Sequence, residues 1–260
     1  MTPSPNQLEL PARRLHKIER RVAPRSWGVW AVAASLLLIS ALVMLQLPLL
    51  QRLNSDVATA VGERRQIQLA DGSRLTLDSA SAVDVDLRGP VRTLRLVQGQ
   101  VFIEVTHDGR PFVVNIDQAQ VQVLGTRFSV SRGRDHDEVV LLKGKVEVSS
   151  GGDKRMLAPG ERVTLNGSRL GQVEKVDAER RLAWREGQLR VRDVPLRQVL
   201  EQLAEYQGGR LLYIDGQLGQ RPVSASFNLD QASSAINALA RNQNLSVSSL
   251  AGQWIIVLSP

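Results

Sequence analysis

The apolar run from Trp27 to Leu50 constrains this chain more than any other feature. No charged residue occurs between Arg25 and Arg52, and about 20 mainly apolar residues are enough for a helix to cross the hydrocarbon core of a membrane. Trp27 and Trp30 stand at the start of the run, where indole side chains favour the membrane interface. We therefore predict a single transmembrane helix over residues 27–50.

The charges on either side of this run predict its orientation. The 26 residues before Trp27 contain six basic and two acidic residues, and the positive-inside rule places such a basic excess in the cytoplasm. The N-terminus is therefore expected in the cytoplasm, and the larger C-terminal part is expected to be exported. A cleaved signal peptide is the alternative, since Ala58-Thr59-Ala60 has the form of a cleavage site, but this site lies well past the run.

The 26-residue tail also carries one apolar stripe. Leu15, Ile18 and Val22 follow helical spacing within an otherwise basic segment. A helix of this kind is suited to rest on anionic lipid. A short docking helix for a cytoplasmic partner is the second interpretation.

Composition argues against several functional classes. The chain has no cysteine, which excludes disulfides and thiolate metal sites. Its net charge of +7 comes mostly from the tail, and the remaining arginines are scattered, so we predict no nucleic-acid partner. The acidic groups Asp84/Asp86 and Asp135/Asp137/Glu138 lack the spacing of a calcium loop and are interpreted as solvated carboxylates. No serine stands in a strand–turn–helix elbow and no phosphate loop is present, so we predict no enzyme, no metal and no cofactor.

From Val61 the hydrophobic pattern takes a period of two, after a polar spacer over residues 51–60. Asp71-Gly72 lies between two alternating segments and predicts a hairpin turn. Further strands are predicted over residues 91–97, 101–106, 112–116, 121–124, 127–131, 139–142, 146–149 and 162–165. Many short strands separated by glycine and proline indicate an all-β sandwich, barrel or solenoid.

A short repeat lies within this β region. The segment Leu96–Val101 (LVQGQV) matches Leu141–Val146 (LLKGKV). In each copy a glycine separates two segments that continue the strand pattern. This predicts a tight turn or bulge that is used at two equivalent corners of the fold.

The pattern changes again after the charged connector of residues 177–186. Pro195 is expected to open a helix that Asp193 caps, and Asp230 or Ser233 is expected to cap a second helix. The predicted elements of residues 187–260 are a strand over 188–192, the first helix, strands over 210–215 and 222–228, the second helix, and a hairpin of strands over 245–250 and 254–258. The order βαββαββ describes a small α+β domain.

Six ordered sequence elements within residues 61–176 resemble the FecR domain, the periplasmic β domain of transmembrane regulators of extracytoplasmic-function sigma factors. They are LADGSRLTLDSAS, LVQGQVFIEV, RPFVV, VLGTRFSV, LLKGKVEV and LAPGERV. The stretch VRDVPLRQVLEQLAEYQGGRLLYID resembles the short N-terminal signalling (STN) domain of secretins and TonB-dependent receptors. Regulators of the FecR type carry such a domain at their C-terminus.

The resemblance implies a mainly β, single-pass protein of the inner membrane. Its regions would be a cytoplasmic tail (1–26), a transmembrane helix (27–50), a spacer (51–60), a FecR-like periplasmic domain (61–176), a connector (177–186) and an STN-like domain (187–260). It would relay the state of an outer-membrane TonB-dependent receptor, of the iron-uptake type, to an extracytoplasmic-function sigma factor as an anti-sigma factor or sigma regulator. The alternative is a membrane-tethered periplasmic adaptor that binds a receptor or envelope complex without a sigma-factor partner.

The receptor's signalling domain would bind an exposed sheet edge or helix face of residues 187–260. Leu196, Leu200, Leu203 and Tyr206 are the candidate contacts. The three leucines, with Val199, also follow helical spacing, and packing in the core is the favoured role for them.

The bond between Gly125 and Thr126 is a candidate for self-cleavage. A threonine hydroxyl can attack the preceding carbonyl and form an ester that water then opens, and a glycine before it permits a strained backbone. The resemblance adds that some FecR-like regulators cleave themselves at a Gly-Thr pair in this element. A plain turn glycine before a strand threonine is the alternative.

FecR-type regulators usually have a helical sigma-binding domain of several dozen residues before the membrane. Here 26 residues precede Trp27. Three interpretations remain open at this stage: a start codon placed too late, a tail that serves as a minimal docking helix, or loss of the sigma-factor role.

Overall fold

The computed structural model describes residues 55–133, 136–211, 216–243, 245, 247–250 and 253–256. The tail and the apolar run over residues 27–50 lie outside this part of the chain. Within it, no helix is long and apolar enough to span a membrane. The predicted transmembrane helix therefore stays a prediction.

Residues 57–175 form thirteen strands, which we call the sandwich. The strands are β1 (Val57–Ala58), β2 (Arg65–Gln68), β3 (Arg74–Leu77), β4 (Ala82–Asp86), β5 (Arg92–Glu104), β6 (Phe112–Ile116), β7 (Ala119–Val123), β8 (Arg127–Arg132), β9 (Asp137–Lys143), β10 (Val146–Ser150), β11 (Asp153–Leu157), β12 (Glu161–Asn166) and β13 (Arg169–Lys175). The prediction of an all-β region is confirmed.

The long strand β5 belongs to two sheets. Its first half pairs with β4 and β6, and its second half pairs with β3 and β8. The first sheet runs β11-β10-β7-β6-β5-β4-β1, and the second runs β2-β3-β5-β8-β9-β12-β13. All of these pairings are antiparallel except β5 with β6. The arrangement is a sandwich rather than a solenoid.

Alternating side chains fill the space between the sheets. In β7, the first, third and fifth residues are buried and the two between them are exposed, as a strand with one buried face requires. The largest fully buried apolar side chains of this core are Phe112, Phe128, Leu75, Leu77, Leu94, Leu96, Ile103, Ile116, Leu141, Leu157 and Leu165.

The repeated glycines mark two of the places where the chain passes from one sheet to the other. Gly99 lies inside β5, between the half in the first sheet and the half in the second, and Gly144 lies between β9 in the second sheet and β10 in the first. Both have positive φ, +83° and +100°, which glycine adopts without a steric penalty. The predicted corners are confirmed. The predicted strands over 91–97 and 101–106 are one bent strand.

A fully buried arginine joins the ends of several sandwich strands. Arg92 donates to Asp71 Oδ2 at 2.7 Å, to the carbonyl oxygen of Thr106 at 2.9 Å and to that of Arg110 at 2.7 Å. It also lies 3.1 Å from Asp108 Oδ1. Burial alone would raise the pKa of Asp71, but hydrogen bonds from Ser73 and Arg92 outweigh it and hold that pKa below its usual value.

Two short helices form the connector: α1 (Ala178–Arg181) and a 3₁₀ helix (Ala183–Glu186). The C-terminal domain follows with β14 (Gln188–Pro195), α2 (Leu196–Glu205), α3 (Gly216–Gly219), β15 (Pro222–Asn228), a 3₁₀ turn (Leu229–Gln231), α4 (Ala232–Asn242), β16 (Val247–Leu250) and β17 (Gln253–Ile256). β14 pairs with β15, and β16 pairs with β17, both antiparallel. Of the strand predicted over 210–215, Arg210 and Leu211 are not in a strand, and the rest lies outside the described residues.

The predicted helix caps are wrong in detail. Pro195 is the N-cap of α2 rather than its first residue, and no side chain caps it. Asp193 lies in a bulge of β14 with a φ of +54°. No side chain caps α4; instead Asn228 caps the preceding 3₁₀ turn by accepting from the amide of Asp230, and the Ser233 hydroxyl donates to Gln207.

A second hydrophobic core lies between the sandwich and the C-terminal domain. Phe102 and Val140, on the outer face of the second sheet, belong to the same buried cluster as Leu182 and Trp184 of the connector and Leu200 of α2. The connector is therefore part of a core and not a solvated linker. This shared core positions the C-terminal domain against the sandwich.

Candidate functional sites at Gly125–Thr126 and between the domains

The candidate cleavage bond lies in the short loop between β7 and β8. Gly125 is exposed, Thr126 is 5% exposed, and the amide of Val105 donates to the carbonyl oxygen of Thr126 at 2.9 Å. The side-chain hydroxyl Oγ1 of Thr126 is buried and has no hydrogen-bond partner among the described residues. A buried hydroxyl without a partner is uncommon, and here no donor occupies the lone pairs of the Thr126 oxygen.

Space, rather than backbone conformation, disfavours a side chain at position 125. The φ of Gly125 is not positive, so the left-handed conformation that only glycine adopts readily is not present here. A Cβ atom at this position would instead lie 3.2 Å from Cβ of His107. The ring of His107 also contacts this loop, with Nδ1 3.1 Å from the carbonyl oxygen of Leu124.

A pocket of about 270 Å³ opens beside the bond. Glu104 lies in its wall and forms ion pairs with Arg74 at 3.2 Å and with Arg127 at 3.0 Å. The complete lining is Gly72, Arg74, Glu104, Val105, Thr106, Gly125, Thr126, Arg127 and Lys143. The pocket gives solvent access to the two residues that flank the candidate bond.

The predicted partner contacts lie mainly in the core of the C-terminal domain. Leu196, Leu200 and Leu203 are 0% exposed, so the packing role that the sequence favoured for them is the one that the structure shows. Tyr206 is half-buried, and its hydroxyl donates to Asp78 Oδ1 of the sandwich. Binding of a receptor by these four residues stays a prediction.

Asp78 is a buried carboxyl group at the contact between the domains. Burial raises the pKa of Asp78 to about 6, although hydrogen bonds from Tyr206 and from the backbone of Ser79 and the charge of Arg64 act in the opposite direction. Burial and the neighbouring Asp78 also raise the pKa of Tyr206, so the phenol stays protonated and acts as the donor.

Two further polar contacts lie at this junction, one between the domains and one between the connector and the sandwich. Arg64 of the sandwich lies 2.7 Å from Asp230 of the C-terminal domain. The guanidinium of Arg185, in the connector, stacks over the ring of Phe102 with its central carbon 4.2 Å from the ring centroid, a distance suited to a cation–π contact. None of these residues stands in a sequence pattern that predicts an interdomain contact.

A cleft of about 1200 Å³ lies beside this contact. Residues of the sandwich form one wall, among them Gln100, Arg132 and Glu138, and residues of β14 and α2 form the other, among them Arg190 and Glu205. Basic and acidic side chains occur on both walls. The charges alone do not select an anionic or a cationic ligand.

Among the acidic residues considered for calcium, Asp135 lies outside the described residues, and Glu138 and Asp84 face arginines. Glu138 contacts Arg162 at 2.6 Å and Arg181 at 2.7 Å, and Asp84 lies 3.8 Å from Arg95. Within the described part of the chain, no group of three or more histidine, cysteine or acidic residues is placed to hold a metal ion.

Comparison with known proteins shows which family the region around the Gly125–Thr126 loop resembles. Residues 55–147 match the family model described as FecR protein, so this part of the chain is similar to the FecR family. This match begins before β1 and ends within β10, whereas the sandwich continues to β13. The comparison with curated proteins gave no significant match.

Two solved structures have a similar fold. Both are titled as crystal structures of "a putative anti-sigma factor" from Parabacteroides distasonis, at 1.65 and 2.50 Å resolution. The first has a TM-score of 0.67 with 21% identity over 78% of this chain and 99% of its own. The second has a TM-score of 0.65 with 21% identity over 78% of this chain and 98% of its own. At this identity the likeness establishes the fold, which is shared well beyond residues 55–147.

Proposed function

We propose that this chain is a single-pass inner-membrane regulator of an extracytoplasmic-function sigma factor. The similarity of residues 55–147 to the FecR family is the observation that carries the proposal. The fold likeness to proteins titled as anti-sigma factors supports it, as does the uncharged apolar run that follows a basic tail. In this proposal the N-terminus is cytoplasmic and the sandwich and C-terminal domain are periplasmic.

The C-terminal domain would receive the signal from an outer-membrane TonB-dependent receptor. Its packing against the sandwich supports this role, because a change in the C-terminal domain would act on Phe102 and Val140 of the second sheet directly. Coupling between sites requires an element with two arrangements that both sites bias. The contact between the two domains is our candidate for that element.

Co-purification with each extracytoplasmic-function sigma factor of the native strain tests the sigma-factor role. After cross-linking, we expect one sigma factor to co-purify with the full-length chain. Expression of a reporter from a promoter of that sigma factor should change when the chain is deleted. If no sigma factor is cross-linked and no reporter changes, the anti-sigma proposal fails. The membrane-tethered adaptor would then be the remaining interpretation.

Receptor coupling is better tested by point substitutions than by truncation. Removing residues 187–260 would expose the buried side chains of Phe102 and Trp184, so a loss of signalling would not distinguish missing recognition from misfolding. Tyr206→Phe keeps the ring and removes the hydroxyl that contacts Asp78. We expect this variant to reach the membrane normally. The amount of receptor signal that is needed for induction should differ from that of the native chain. An unchanged dose response would argue against a relay through this contact.

We also propose self-cleavage at Gly125–Thr126. The buried Thr126 hydroxyl without a partner favours this reaction, and the adjoining 270 Å³ pocket supports access of water. Two bands split at this bond are expected for the native chain, one full-length band for Thr126→Ala, and retained cleavage for Thr126→Ser, which keeps a hydroxyl nucleophile. An intact mass for the native chain in its own membrane would refute the cleavage proposal.

A further inference from the structure

We propose that His107 is a positioning residue for cleavage at Gly125–Thr126. The inference rests on the proposed self-cleavage and assigns a role to a side chain that no motif identified. His107 belongs to the segment between β5 and β6, whereas the bond lies between β7 and β8. The fold therefore brings a histidine against this bond from another part of the chain.

The first observation is a hydrogen bond to the peptide next to the bond. His107 Nδ1 lies 3.1 Å from the carbonyl oxygen of Leu124. A carbonyl oxygen only accepts, so Nδ1 carries the hydrogen and donates, and Nε2 is left without one in the neutral ring. This bond restrains the Leu124–Gly125 peptide plane on one side of the reacting carbonyl.

The second observation is the close packing around the dipeptide. A Cβ on Gly125 would lie 3.2 Å from His107 Cβ, and a Cβ on Gly144 would lie 2.5 Å from Cγ2 of Thr126 and 3.2 Å from the Gly125 oxygen. The backbone of Thr126 is also fixed, because its carbonyl oxygen accepts from the amide of Val105. The peptide bond itself is planar, and contacts to both residues limit rotation about the backbone bonds on either side of it.

The reaction needs no group beyond those present and water. The Thr126 oxygen attacks the Gly125 carbonyl carbon, its proton passes to the Thr126 nitrogen, and the carbon–nitrogen bond breaks. The product is an ester between Gly125 and the Thr126 side chain, with a free Thr126 amino group. Water then adds to the ester and releases a carboxylate on Gly125 and the hydroxyl of Thr126.

His107 contributes to this step by restricting the approach of oxygen and carbon. Intramolecular attack is fast when the reacting atoms are held close to the geometry of attack, and a small misplacement can cost about a hundredfold in rate. Loss of the bond to Leu124 would let the peptide plane rotate. The Thr126 hydroxyl would remain, but the Gly125 carbonyl carbon would be positioned for its attack in fewer molecules.

Three variants of the full-length chain separate this role from a merely structural one. Asn places an amide nitrogen where Nδ1 stands, Gln places one where Nε2 stands, and Ala removes both. We expect His107→Asn to cleave within about threefold of the native rate, and His107→Gln and His107→Ala to be slowed about 10- to 100-fold. The measurement is a time course of intact mass after a pulse of synthesis. His136→Ala is the matched control, since His136 is also exposed in a sandwich loop.

The outcomes separate this inference from the proposal beneath it. Native cleavage with an unchanged His107→Ala rate overturns the role of His107 and leaves the self-cleavage standing. Equal slowing of the Asn and Ala variants overturns positioning through Nδ1. An uncleaved native chain overturns both. His107 is exposed, so the thermal midpoint of each variant is expected to stay within about 2 °C of the native one, and a larger fall would assign the slowing to lost structure and overturn the inference.

Discussion

Two buried acidic groups in the described part of the chain are held in opposite ways. Asp71 faces the fully buried Arg92, within the sandwich, at 2.7 Å. Asp78 faces the neutral hydroxyl of Tyr206, across the contact between the domains. The pKa of Asp71 is lowered, whereas that of Asp78 is raised to about 6. Asp71 therefore stays ionised at any physiological pH. Asp78 changes between its neutral and ionised forms near pH 6.

The difference indicates which contact is fixed and which can change. A buried carboxylate paired with an arginine gains charge-assisted hydrogen bonds, and removing one partner leaves an uncompensated charge. A buried carboxylate paired with a phenol keeps most of its desolvation cost. We therefore expect the Arg92 network to support the sandwich in every state, and the Asp78 contact to respond to pH and to substitution.

Replacing Arg92 by methionine is expected to have the largest effect. The substitution leaves Asp71 buried without its cation and removes the donor to two carbonyl oxygens. We expect the free energy of unfolding to fall by about 3–5 kcal/mol, as measured by urea denaturation of the full-length chain. Arg95→Met is the control on the same strand, because Arg95 is largely exposed and lies 3.8 Å from Asp84. A change below about 1 kcal/mol is expected for that control.

Phe102→Ala should give the next largest effect. It acts on the contact between the domains rather than on the Arg92 network. Phe102 is 3% exposed, and its truncation removes packing from the core shared by the two domains. We expect a loss of about 3 kcal/mol, with faster hydrogen exchange in α2 and β14 than in the inner strands. Uniformly faster exchange throughout the sandwich would show that the domains do not respond separately.

Much of the fold could be predicted because the sandwich obeys a simple alternation. β6, β7, β8, β10 and β12 lie within one or two residues of their predicted bounds. The strands β11 and β13 were missed because they lie at the sheet edges and are mostly exposed, which leaves little alternation to detect. The cap of α2 was wrong because Pro195 directly precedes the helix and the amide of Leu196 donates to the carbonyl oxygen of Arg221. The cap near α4 was wrong because Asn228 accepts from the amide of Asp230 one turn earlier.

The contact between the domains was less predictable, although one pattern pointed to it. Val101-Phe102-Ile103 and the apolar run from Val139 to Leu142 interrupt the alternation of the second sheet. Continuous apolar runs are typical of strands covered on both faces, so these segments indicated a covering layer. The pairing of Asp78 with Tyr206 spans 128 residues, and nothing in the sequence pattern around either residue indicates the other as its partner. Likewise, Gly125 and Thr126 were found as a dipeptide, but His107 is close to them only in the folded chain.

Asp78→Asn is expected to remove a pH dependence. Because the folded-state pKa of Asp78 is raised to about 6 from 3.8, its contribution to stability is fully present below pH 3.8 and is lost as pH rises through about 6. That loss is on the order of 3 kcal/mol. The substituted amide keeps an oxygen that can accept from Tyr206, so the variant should be more stable than the native chain at pH 7 and should differ little at pH 4. An identical pH profile for both chains would contradict the assignment.

Tyr206→Phe should have a smaller effect and should shift the same titration upward. The Tyr206 hydroxyl stabilises the charged form of Asp78, so its loss raises the pKa of that carboxyl further. We expect a loss of about 1–3 kcal/mol at pH 7, since an ionised acceptor is left buried without its donor. The loss should shrink as the pH falls below 6, where Asp78 is protonated in the folded chain. In an Asp78→Asn background the same substitution should cost less.

The ion pair between Arg64 and Asp230 is expected to contribute least, although it also joins the two domains. Asp230 is 63% exposed, and a pair with one partner in water gains little because solvent screens the attraction. A double-mutant cycle with Arg64→Gln and Asp230→Asn should give a coupling energy below about 1 kcal/mol that decreases with salt. Arg64→Gln should in addition raise the pKa of Asp78, since the charge of Arg64 lowers it, whereas Asp230→Asn should not. A coupling energy above about 2 kcal/mol would show that this ion pair holds the domains together. The difference between Asp71 and Asp78 would then not explain how the domains are joined.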